Sequence, residues 1–392
     1  MRSRRVAALA WMASAGLGLA AAGADPVEDF VARHWRVPLA AQGAPPARWS
    51  PAEASLHPEA CGGCHPVQFQ DWRTSLHAQS MGPGIAGQHA EMLDADPATA
   101  LGCQTCHAPL AEQRPLVRGA RGLETNPAFD PALRDKGLVC AGCHVRAHAR
   151  FGPPRRDGSL ASALPRERLP HGGVTRTPAF LRSEFCRGCH QFGSDGFALN
   201  GKPLEDTYAE WKASPFAARG VQCQDCHMPD RRHLWRGIHD PETVRAGLTI
   251  TARREDGAAV LVVENSGVGH RFPTYVTPLV VLRGELLDAA GRVLPGSREE
   301  VLVGRRVELD LSREIADTRL QPGERATLRY ARAAAGARAR LSVVVYPDAF
   351  YTVFFEALLR QGAGRGEAQI RAALEATRRS PFTLFTADPP AP

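Results

Sequence analysis

Hydrophobic and polar positions alternate in the C-terminal part of the chain, in runs that predict β-strands. These runs cover residues 248–253, 258–266, 279–288, 325–331 and 341–346. Turn sequences lie directly after the third run, at 288–291, and directly before the fourth, at 321–324. Two stretches with helical periodicity come next, at 349–361 and 366–378. We therefore expect a β-sandwich-like domain with C-terminal helices. The second helix has one face that we expect to pack on the sheets, made of Ile370, Ala373, Leu374 and Thr377.

The preceding part of the chain has a different pattern. It is rich in Gly, Pro and Arg and has few long apolar runs. Helices are expected at 67–80, at about 207–218 and before each of the cysteine motifs described below, and loops are expected at 114–135 and 152–177. Such segments form a poor core from protein alone, so the fold class expected here is mainly α and irregular.

The N-terminus has the pattern of an export signal. Arg2, Arg4 and Arg5 precede an uncharged run at 6–23, which ends in Ala22-Gly23-Ala24. We predict a cleaved signal peptide at 1–24 and a periplasmic protein without a membrane span after cleavage; the alternative is an uncleaved anchor. The predicted domains are then 25–240 and 241–388, with a disordered tail at 389–392.

All ten cysteines lie in five copies of Cys-x-x-Cys-His. In such a motif two thiols three positions apart can each form a thioether to a haem vinyl group, and the adjacent imidazole becomes a ligand of the iron. Zinc sites and redox dithiols also use paired cysteines, but neither requires histidine at the next position in every copy. We predict five covalent haems c with iron. The cofactor-binding cysteines are Cys61, Cys64, Cys103, Cys106, Cys140, Cys143, Cys186, Cys189, Cys223 and Cys226, and the adjacent ligands are His65, His107, His144, His190 and His227.

The formal net charge of +7 is weak evidence for a polyanionic partner. Three of the basic residues belong to the predicted signal, and each haem brings two propionate carboxylates. No basic stretch is interleaved with aromatic residues as single-strand binding needs. We therefore expect no nucleic-acid partner.

The second axial ligand of each iron decides the chemistry, because an iron with histidine on both faces can only exchange electrons. The chain has fourteen histidines, and an average chain of this length has fewer. For any one histidine, the alternative to binding iron is an ordinary solvated position on the surface. The nine outside the motifs are His34, His57, His77, His89, His148, His171, His233, His239 and His270.

Spacing restricts some of these histidines. On a continuous helix His77 would lie about 18 Å beyond His65 and would have to serve another iron. His148 follows His144 by four residues on the same face, so a solvated position is favoured. Gly267 and Gly269 let the backbone turn, which can point His270 out of the β region toward a haem. A turn histidine within the β region is the alternative.

Four patches resemble one protein family. They are Asp71-Trp-Arg-Thr-Ser-Leu-His77, Cys223-Gln-Asp-Cys-His-Met-Pro229, Arg232-His-Leu-Trp-Arg-Gly-Ile-His-Asp240 and Gly269-His-Arg-Phe-Pro-Thr274. The chain thus resembles multihaem (pentahaem) c-type cytochromes related to the tetrahaem electron acceptor of hydroxylamine oxidoreductase, with an added C-terminal β domain. In that relative one haem is five-coordinate. The resemblance implies the second-ligand set His77, His171, His233, His239 and His270, with His57 and His89 in reserve.

Two functions from different classes follow. The first is an electron carrier with mostly bis-histidine haems and no catalytic residues, exchanging electrons with other cytochromes or a quinol-linked donor. The second is an oxidoreductase in which one open haem acts on a small nitrogen or sulfur compound. We favour the non-catalytic carrier.

Overall fold

A computed structural model describes residues 25–389 of the chain. The predicted signal peptide, 1–24, and residues 390–392 of the predicted tail lie outside the described residues. No helix within 25–389 combines the length and the apolar character that crossing a bilayer requires.

The first half of the described chain is built from short helices joined by irregular segments, as expected. Thirteen α-helices are distributed between residues 26 and 246. They are α1 Pro26–His34, α2 Pro51–Ala54, α3 Pro58–Gly62, α4 Pro66–Trp72, α5 Pro83–Ala95, α6 Pro97–His107, α7 Pro131–Arg134, α8 Cys140–His144, α9 Arg187–His190, α10 Thr207–Lys212, α11 Pro215–Ala218, α12 Cys223–His227 and α13 Pro241–Ala246.

Proline starts most of these helices. Nine of the thirteen have proline at the first helical position. Proline has no N–H to leave unpaired there, and its fixed φ suits the first turn. Side chains such as Asp25, Ser50 and Asp240 accept hydrogen bonds from the free N–H groups of that turn. The high proline content therefore sets where the short helices begin.

Two of the predicted helices are shorter than expected. The helix predicted at 67–80 ends at Trp72, where the hydroxyls of Thr74 and Ser75 bond to the carbonyls of Asp71 and Trp72. The helix predicted at 207–218 is divided into α10 and α11, because Ser214 caps a new start at Pro215. His77 therefore lies in a turn segment, and the helical distance of about 18 Å from His65 does not apply.

Short strands and 3₁₀ turns occupy the segments between the helices. Strands β1 Leu116–Gly119 and β2 Gly122–Thr125 form a hairpin in the segment predicted as a loop. The others are β3 Val145–Arg146, β4 Ala149–Gly152, β5 Val174–Arg176, β6 Ala198–Leu199 and β7 Lys202–Pro203. The 3₁₀ turns of the described chain are Ala111–Gln113, Arg166–Arg168, Pro170–Gly172, Pro178–Leu181, Ser183–Phe185, Pro229–Arg231 and Gly364–Gly366.

The second half of the described chain contains longer antiparallel strands. A four-stranded sheet has the order β11-β10-β15-β16, and a three-stranded sheet has the order β14-β9-β8. The strands are β8 Leu248–Glu255, β9 Ala258–Asn265, β10 Leu279–Leu287, β11 Glu299–Val303, β12 Arg305–Val307, β13 Glu314–Asp317, β14 Arg325–Tyr330, β15 Arg338–Tyr346 and β16 Phe382–Ala387. The expected order of a helical region followed by a β region is confirmed.

The two larger sheets share one hydrophobic cluster. Leu261 of β9, Tyr330 of β14, Leu282 of β10 and Leu341 of β15 all lie in it. Their side chains point inward because residues two apart on a strand share a face. Gly284 of β10 lies beneath the Tyr330 ring, so close that a Cβ at this position would overlap it. The sheets therefore pack in direct contact at this point.

The C-terminal helices pack differently from the prediction. The helices α14 Ala349–Gln361 and α15 Glu367–Arg379 lie near the expected positions. The apolar face of α15, with Ile370 and Leu374, joins a cluster with Phe355 of α14, and Ile370 also meets Gly87 of α5. The expectation that this face packs on the sheets is wrong. It covers α5 of the helical region instead.

The amount of protein core differs between the two regions. The cluster between the sheets contains eighteen buried residues, whereas the largest cluster confined to the helical region contains seven, among them Trp72, Leu110 and Val139. Burial of apolar surface is the main favourable term in folding. The helical region therefore has only a small apolar core made of its own side chains.

Gly284→Ala should destabilise the β region by about 1–3 kcal/mol, because the new methyl group overlaps the Tyr330 ring. The free energy of unfolding is measured by urea titration of the whole protein, followed by far-ultraviolet circular dichroism. Thr327→Ala, at an exposed position of β14, is the control and should have little effect. Equal stabilities of the two variants would contradict the close contact between the sheets.

Candidate haem sites

Each of the five Cys-x-x-Cys-His motifs forms about one helical turn. The second motif ends α6, the third and fifth are α8 and α12, and the fourth consists of Cys186 and α9. The first motif runs from α3 to the start of α4, yet His65 N still bonds to Cys61 O at 2.9 Å. An i to i+4 bond of this kind brings both thiols and the imidazole to one face of the turn.

None of the ten cysteines forms a disulfide bond, and all of them lie in the described part of the chain. Within residues 25–389 no group of three or more His, Cys, Asp or Glu side chains is placed to hold a metal ion. A zinc site would need such a donor set.

Three of the motif imidazoles are oriented by backbone carbonyls. The Nδ1 atom lies 2.6 Å from Ser80 O in His107, 2.8 Å from Phe151 O in His144 and 2.7 Å from Arg236 O in His227. When Nδ1–H donates to a carbonyl, Nε2 is left unprotonated and free to bind a metal. This is the arrangement that an iron-binding histidine requires.

Three other histidines face motif histidines across a gap of suitable size. The ring centroids are 6.3 Å apart in His77 and His190, 6.2 Å in His144 and His233, and 6.4 Å in His227 and His270. A metal–imidazole bond is about 2 Å long and the ring centroid lies about 1 Å behind the nitrogen, so one metal between two imidazoles separates the centroids by about 6 Å. Each gap would accept one iron.

The rings of the second and third pairs are oriented from both sides. His233 Nδ1 lies 3.1 Å from Arg231 O, and His270 Nδ1 lies 2.9 Å from Arg271 O. In both pairs Nδ1 is therefore engaged on each ring, which leaves the Nε2 atoms free. The planes of His227 and His270 are inclined by only 14°.

These histidines are largely surrounded by protein. Burial lowers the pKa of His77 to about 3 and those of His144 and His270 to about 4. Each residue nevertheless keeps part of its surface accessible, in contrast to the fully buried residues of the sheets.

The thiols of different motifs contact one another. Cys61 pairs with Cys140, which lowers the pKa of Cys61 to about 7, and Cys223 pairs in the same way with Cys186. The Cys106 thiol likewise contacts Cys189. In a further link, Cys143 lies close enough to Cys186 and Cys189 to raise their pKa values. All five motifs are thereby connected in one continuous group.

The two remaining motif histidines have no imidazole at this spacing in the described chain. His171 lies within electrostatic reach of His65, which contributes to its lowered pKa. His89 lies within electrostatic reach of His107 in the same way. However, His89 is only 4% exposed, and neither of its ring nitrogens has a hydrogen-bond partner or is accessible to solvent. No imidazole of residues 25–389 faces His107 as His77 faces His190.

The other histidines are held by protein groups. His239 Nε2 lies 3.0 Å from the Asp348 carboxylate, and the structure does not bring it to a motif histidine. His57 Nε2 lies 2.8 Å from Asp130, and His34 Nε2 lies 2.7 Å from Cys143 O. The expected solvated position of His148 is wrong, because its ring is buried and bonded to Gly43 O.

Carboxylates from distant segments hold the backbone at three of the candidate ligands. Asp71 accepts from His233 N at 3.0 Å, and Glu53 accepts from His171 N at 3.3 Å. Glu210 accepts from the N–H of Arg271, next to His270, at 3.2 Å. Sequence reasoning did not find these acidic residues as site residues. The patch that begins at Asp71 was the one available signal, and nothing local indicated Glu210.

Comparisons with known proteins agree with this geometry. Residues 60–126 match the family model described as "Cytochrome c554 and c-prime", over a segment with the first two motifs. No curated protein matches the chain. The fold is similar to the crystal structure of a penta-heme cytochrome c552 from Thermochromatium tepidum, with a TM-score of 0.61 and 19% sequence identity, over 86% of this chain and 99% of that one.

These findings support a multihaem c-type cytochrome. They agree with the cytochrome class predicted from the five motifs and the four patches. The more specific relation to the acceptor of hydroxylamine oxidoreductase stays a prediction. Electron transfer is the activity that this class of cytochrome suggests, and haem c with iron is its cofactor.

Replacing a facing histidine should open one iron of the cytochrome. His77→Ala, His233→Ala and His270→Ala should each convert one low-spin ferric haem to the high-spin form, because an imidazole ligand is lost. Electron paramagnetic resonance of the oxidised protein measures the change. His239→Ala and His57→Ala are the controls and should give the unchanged spectrum. A spectrum unaffected by all three replacements would reject the pairing.

Proposed function

We propose that the chain is a periplasmic electron-transfer cytochrome that carries five covalently attached haems, one at each Cys-x-x-Cys-His motif. Its activity is the exchange of electrons with redox proteins, such as other cytochromes or a quinol-linked donor. The predicted signal at 1–24 supports export.

The proximity of the five motifs carries this proposal. Thiols of the first and third motifs lie within hydrogen-bonding reach of each other, as do those of the second and fourth and of the fourth and fifth, and Cys143 of the third motif lies within electrostatic reach of the fourth. Macrocycles attached through these sulfurs would have neighbouring edges. Close spacing of redox centres is what a chain of electron carriers requires, and separate binding sites would not need it.

Four of the five irons are proposed to have histidine on both faces. The pairs are His77 with His190, His144 with His233, His227 with His270, and His65 with His171. Ring spacing supports the first three pairs, carbonyl-oriented rings support the second and third as well, and electrostatic proximity supports the fourth. His239, which the family resemblance implied as a fifth ligand, is not needed in this scheme.

The β region is proposed to be a sandwich-like domain that supplies one of these ligands. His270 follows β9 and its ring centroid lies 6.4 Å from that of His227 in the helical region, which supports the role proposed for the turn at Gly267 and Gly269. The backbone of Gly267 lies against Gly247, and a side chain there would clash. The domain would thus take part in the redox chain.

The haem count tests the main proposal. After precipitation in acid acetone the mature polypeptide should keep its colour, and its mass should exceed that of the bare chain by five haems. Replacing Cys103 and Cys106 together by alanine should remove one haem from this count, because the thioether bonds of that site are lost. Any thiol that reacts with an alkylating reagent in the unfolded wild-type protein would count against five attachments.

A second function is favoured by one specific observation. Among the described residues, two tyrosines lie near the second motif, and none of the described histidines faces His107. Burial raises the pKa values of Tyr275 and Tyr351, and the nearby Cys103 thiol raises both further. Both residues keep part of their surface accessible. An iron held by His107 would then have an open face with neutral hydroxyl donors nearby.

Such a face suits small ligands that accept hydrogen bonds, including nitrogen oxides and sulfur oxyanions. This arrangement corresponds to the oxidoreductase that the sequence suggested as the alternative function, with the second motif as its site. The raised pKa values keep both phenols protonated at neutral pH, so they would donate to a ligand oxygen. Neutral donors would favour the bound form of such a molecule without adding charge to the site.

Cyanide and nitric oxide binding separates the two functions. We expect one of five ferric haems to be high-spin and to become low-spin with cyanide. Tyr275→Phe and Tyr351→Phe should weaken nitric oxide binding by up to about tenfold each, the loss of one hydrogen bond. Tyr330→Phe, in the sheet core, is the control. A fully low-spin protein that binds neither molecule would exclude the open iron and leave the carrier.

A further inference from the structure

A chain of buried ionic side chains joins the helical region to the β region. Arg305 of β12 bonds to Glu314 of β13 at 2.9 Å, and Glu314 also meets Lys202 at 2.9 Å. Lys202 bonds to Asp317 at 2.6 Å, and Asp317 meets Arg319 at 2.8 Å. We call these residues, together with Glu210, the interface ion cluster.

The last link of the interface ion cluster crosses back to the helical region. Arg319 Nη1 lies 2.7 Å from Glu210 Oε1, on α10. At the other end, Arg305 donates to the carbonyls of Leu199, Lys202 and Pro203, at 2.6–3.1 Å. Both ends of the cluster therefore contact the segment between the fourth and fifth motifs.

The interface ion cluster is unusually well buried for charged residues. The side chain of Arg305 is 0% exposed, that of Arg319 is 2% exposed and that of Glu210 is 5% exposed. Buried ion pairs pay a large desolvation cost, and replacing them by apolar residues is often neutral or stabilising. Stability alone is thus a weak explanation for several such charges at one interface. A role in placing a functional group explains them better.

The group placed by the cluster is the segment that carries His270. Glu210 Oε2 accepts from Arg271 N at 3.2 Å, while its other oxygen holds Arg319. Thr207 also bonds to Thr274 at 2.7 Å, and Phe272 pairs with Leu320 through the backbone. His270 is thus fixed from both regions.

Beside Arg271 of the segment itself, which lies 3.9 Å from Glu210, the charges of Glu210 and Arg319 act in opposite directions on a nearby redox centre. A carboxylate favours the more positive, oxidised form of a nearby iron, and a guanidinium favours the reduced form. In a water-excluded interface these interactions are stronger than on the surface. Glu210 and Arg319 bond to each other, so their effects partly cancel in the native protein, and either replacement would unbalance them.

We propose that Glu210 and Arg319 are positioning residues that hold His270 against His227 and together set the reduction potential of the haem attached at Cys223 and Cys226. The proposal rests on the proposed bis-histidine site at His227 and His270. It makes the β region a regulator of one redox centre. Neither residue belongs to the motifs or to the ligand set.

The test measures the direction of the potential shift in Glu210→Gln and Arg319→Gln. We expect the glutamine at 210 to raise the potential of one haem and the glutamine at 319 to lower that of the same haem. An effect of about tenfold in the reduction equilibrium corresponds to about 59 mV for a one-electron couple. Spectroelectrochemical titration of the complete holoprotein gives the potentials, and electron paramagnetic resonance identifies the haem through its low-spin signal.

A matched ion pair supplies the control. Glu264→Gln and Arg325→Gln remove the charges of a pair of similar length, 2.8 Å, whose side chains on β9 and β14 are more accessible to solvent. These variants should leave all five potentials unchanged. Thermal unfolding of every variant separates loss of folding from a change in potential, because a purely structural role would lower stability without shifts of opposite sign.

Each outcome decides between the proposals. Shifts of opposite sign at one haem support the inference, and unchanged potentials, or shifts in the same direction, overturn it. If Glu210→Gln does not fold, Arg319→Gln and the conservative Glu210→Asp provide the same comparison, with aspartate expected to restore the native potential in part. If His270→Ala leaves every haem low-spin, the proposed ligation fails first, and this result is distinguishable from failure of the ion-pair effect alone.

Discussion

The helical region depends on one constraint: pairs of imidazoles from distant segments of the chain must face each other. His77 and His190 are more than a hundred residues apart, yet their rings lie 6.3 Å from each other. The region has only a seven-residue cluster of its own. Irregular segments with so little core need a further constraint to hold three pairs of rings at one spacing. In the proposed function, covalent attachment and axial ligation would supply that constraint.

The features that depend on local sequence were predictable, and those that depend on long-range contact were not. Five motif turns follow from five residues each, and the main strands follow from alternation. The helix expected at 67–80 ended early because hydroxyls at 74 and 75 compete for backbone carbonyls, which periodicity does not report. The sequence did not predict β11 or β16. Glu299 and Glu300 hide the apolar alternation at the start of β11, and two helices separate β16 from its partner strand β15.

The candidate ligands show the same division. His77, His171, His233, His239 and His270 were predicted as a set through the family resemblance, but the sequence could not say which motif histidine each would approach, because only the folded chain brings these segments together. His239 lies within one of the four patches, and in the structure its ring lies beside Asp348.

The distribution of core explains why the ion cluster lies between the two regions. The sheets have an apolar cluster of eighteen residues, whereas the largest cluster confined to the helical region has seven, and in the proposed function attached haems would complete its interior. An apolar interface between two such parts would hold them together without fixing their register, since hydrophobic contact has little directionality. Charge-assisted hydrogen bonds are directional and require their partners. The proposed ligation would need His270 to be positioned to within a fraction of an ångström, and buried charges would serve this purpose even where they add little to stability.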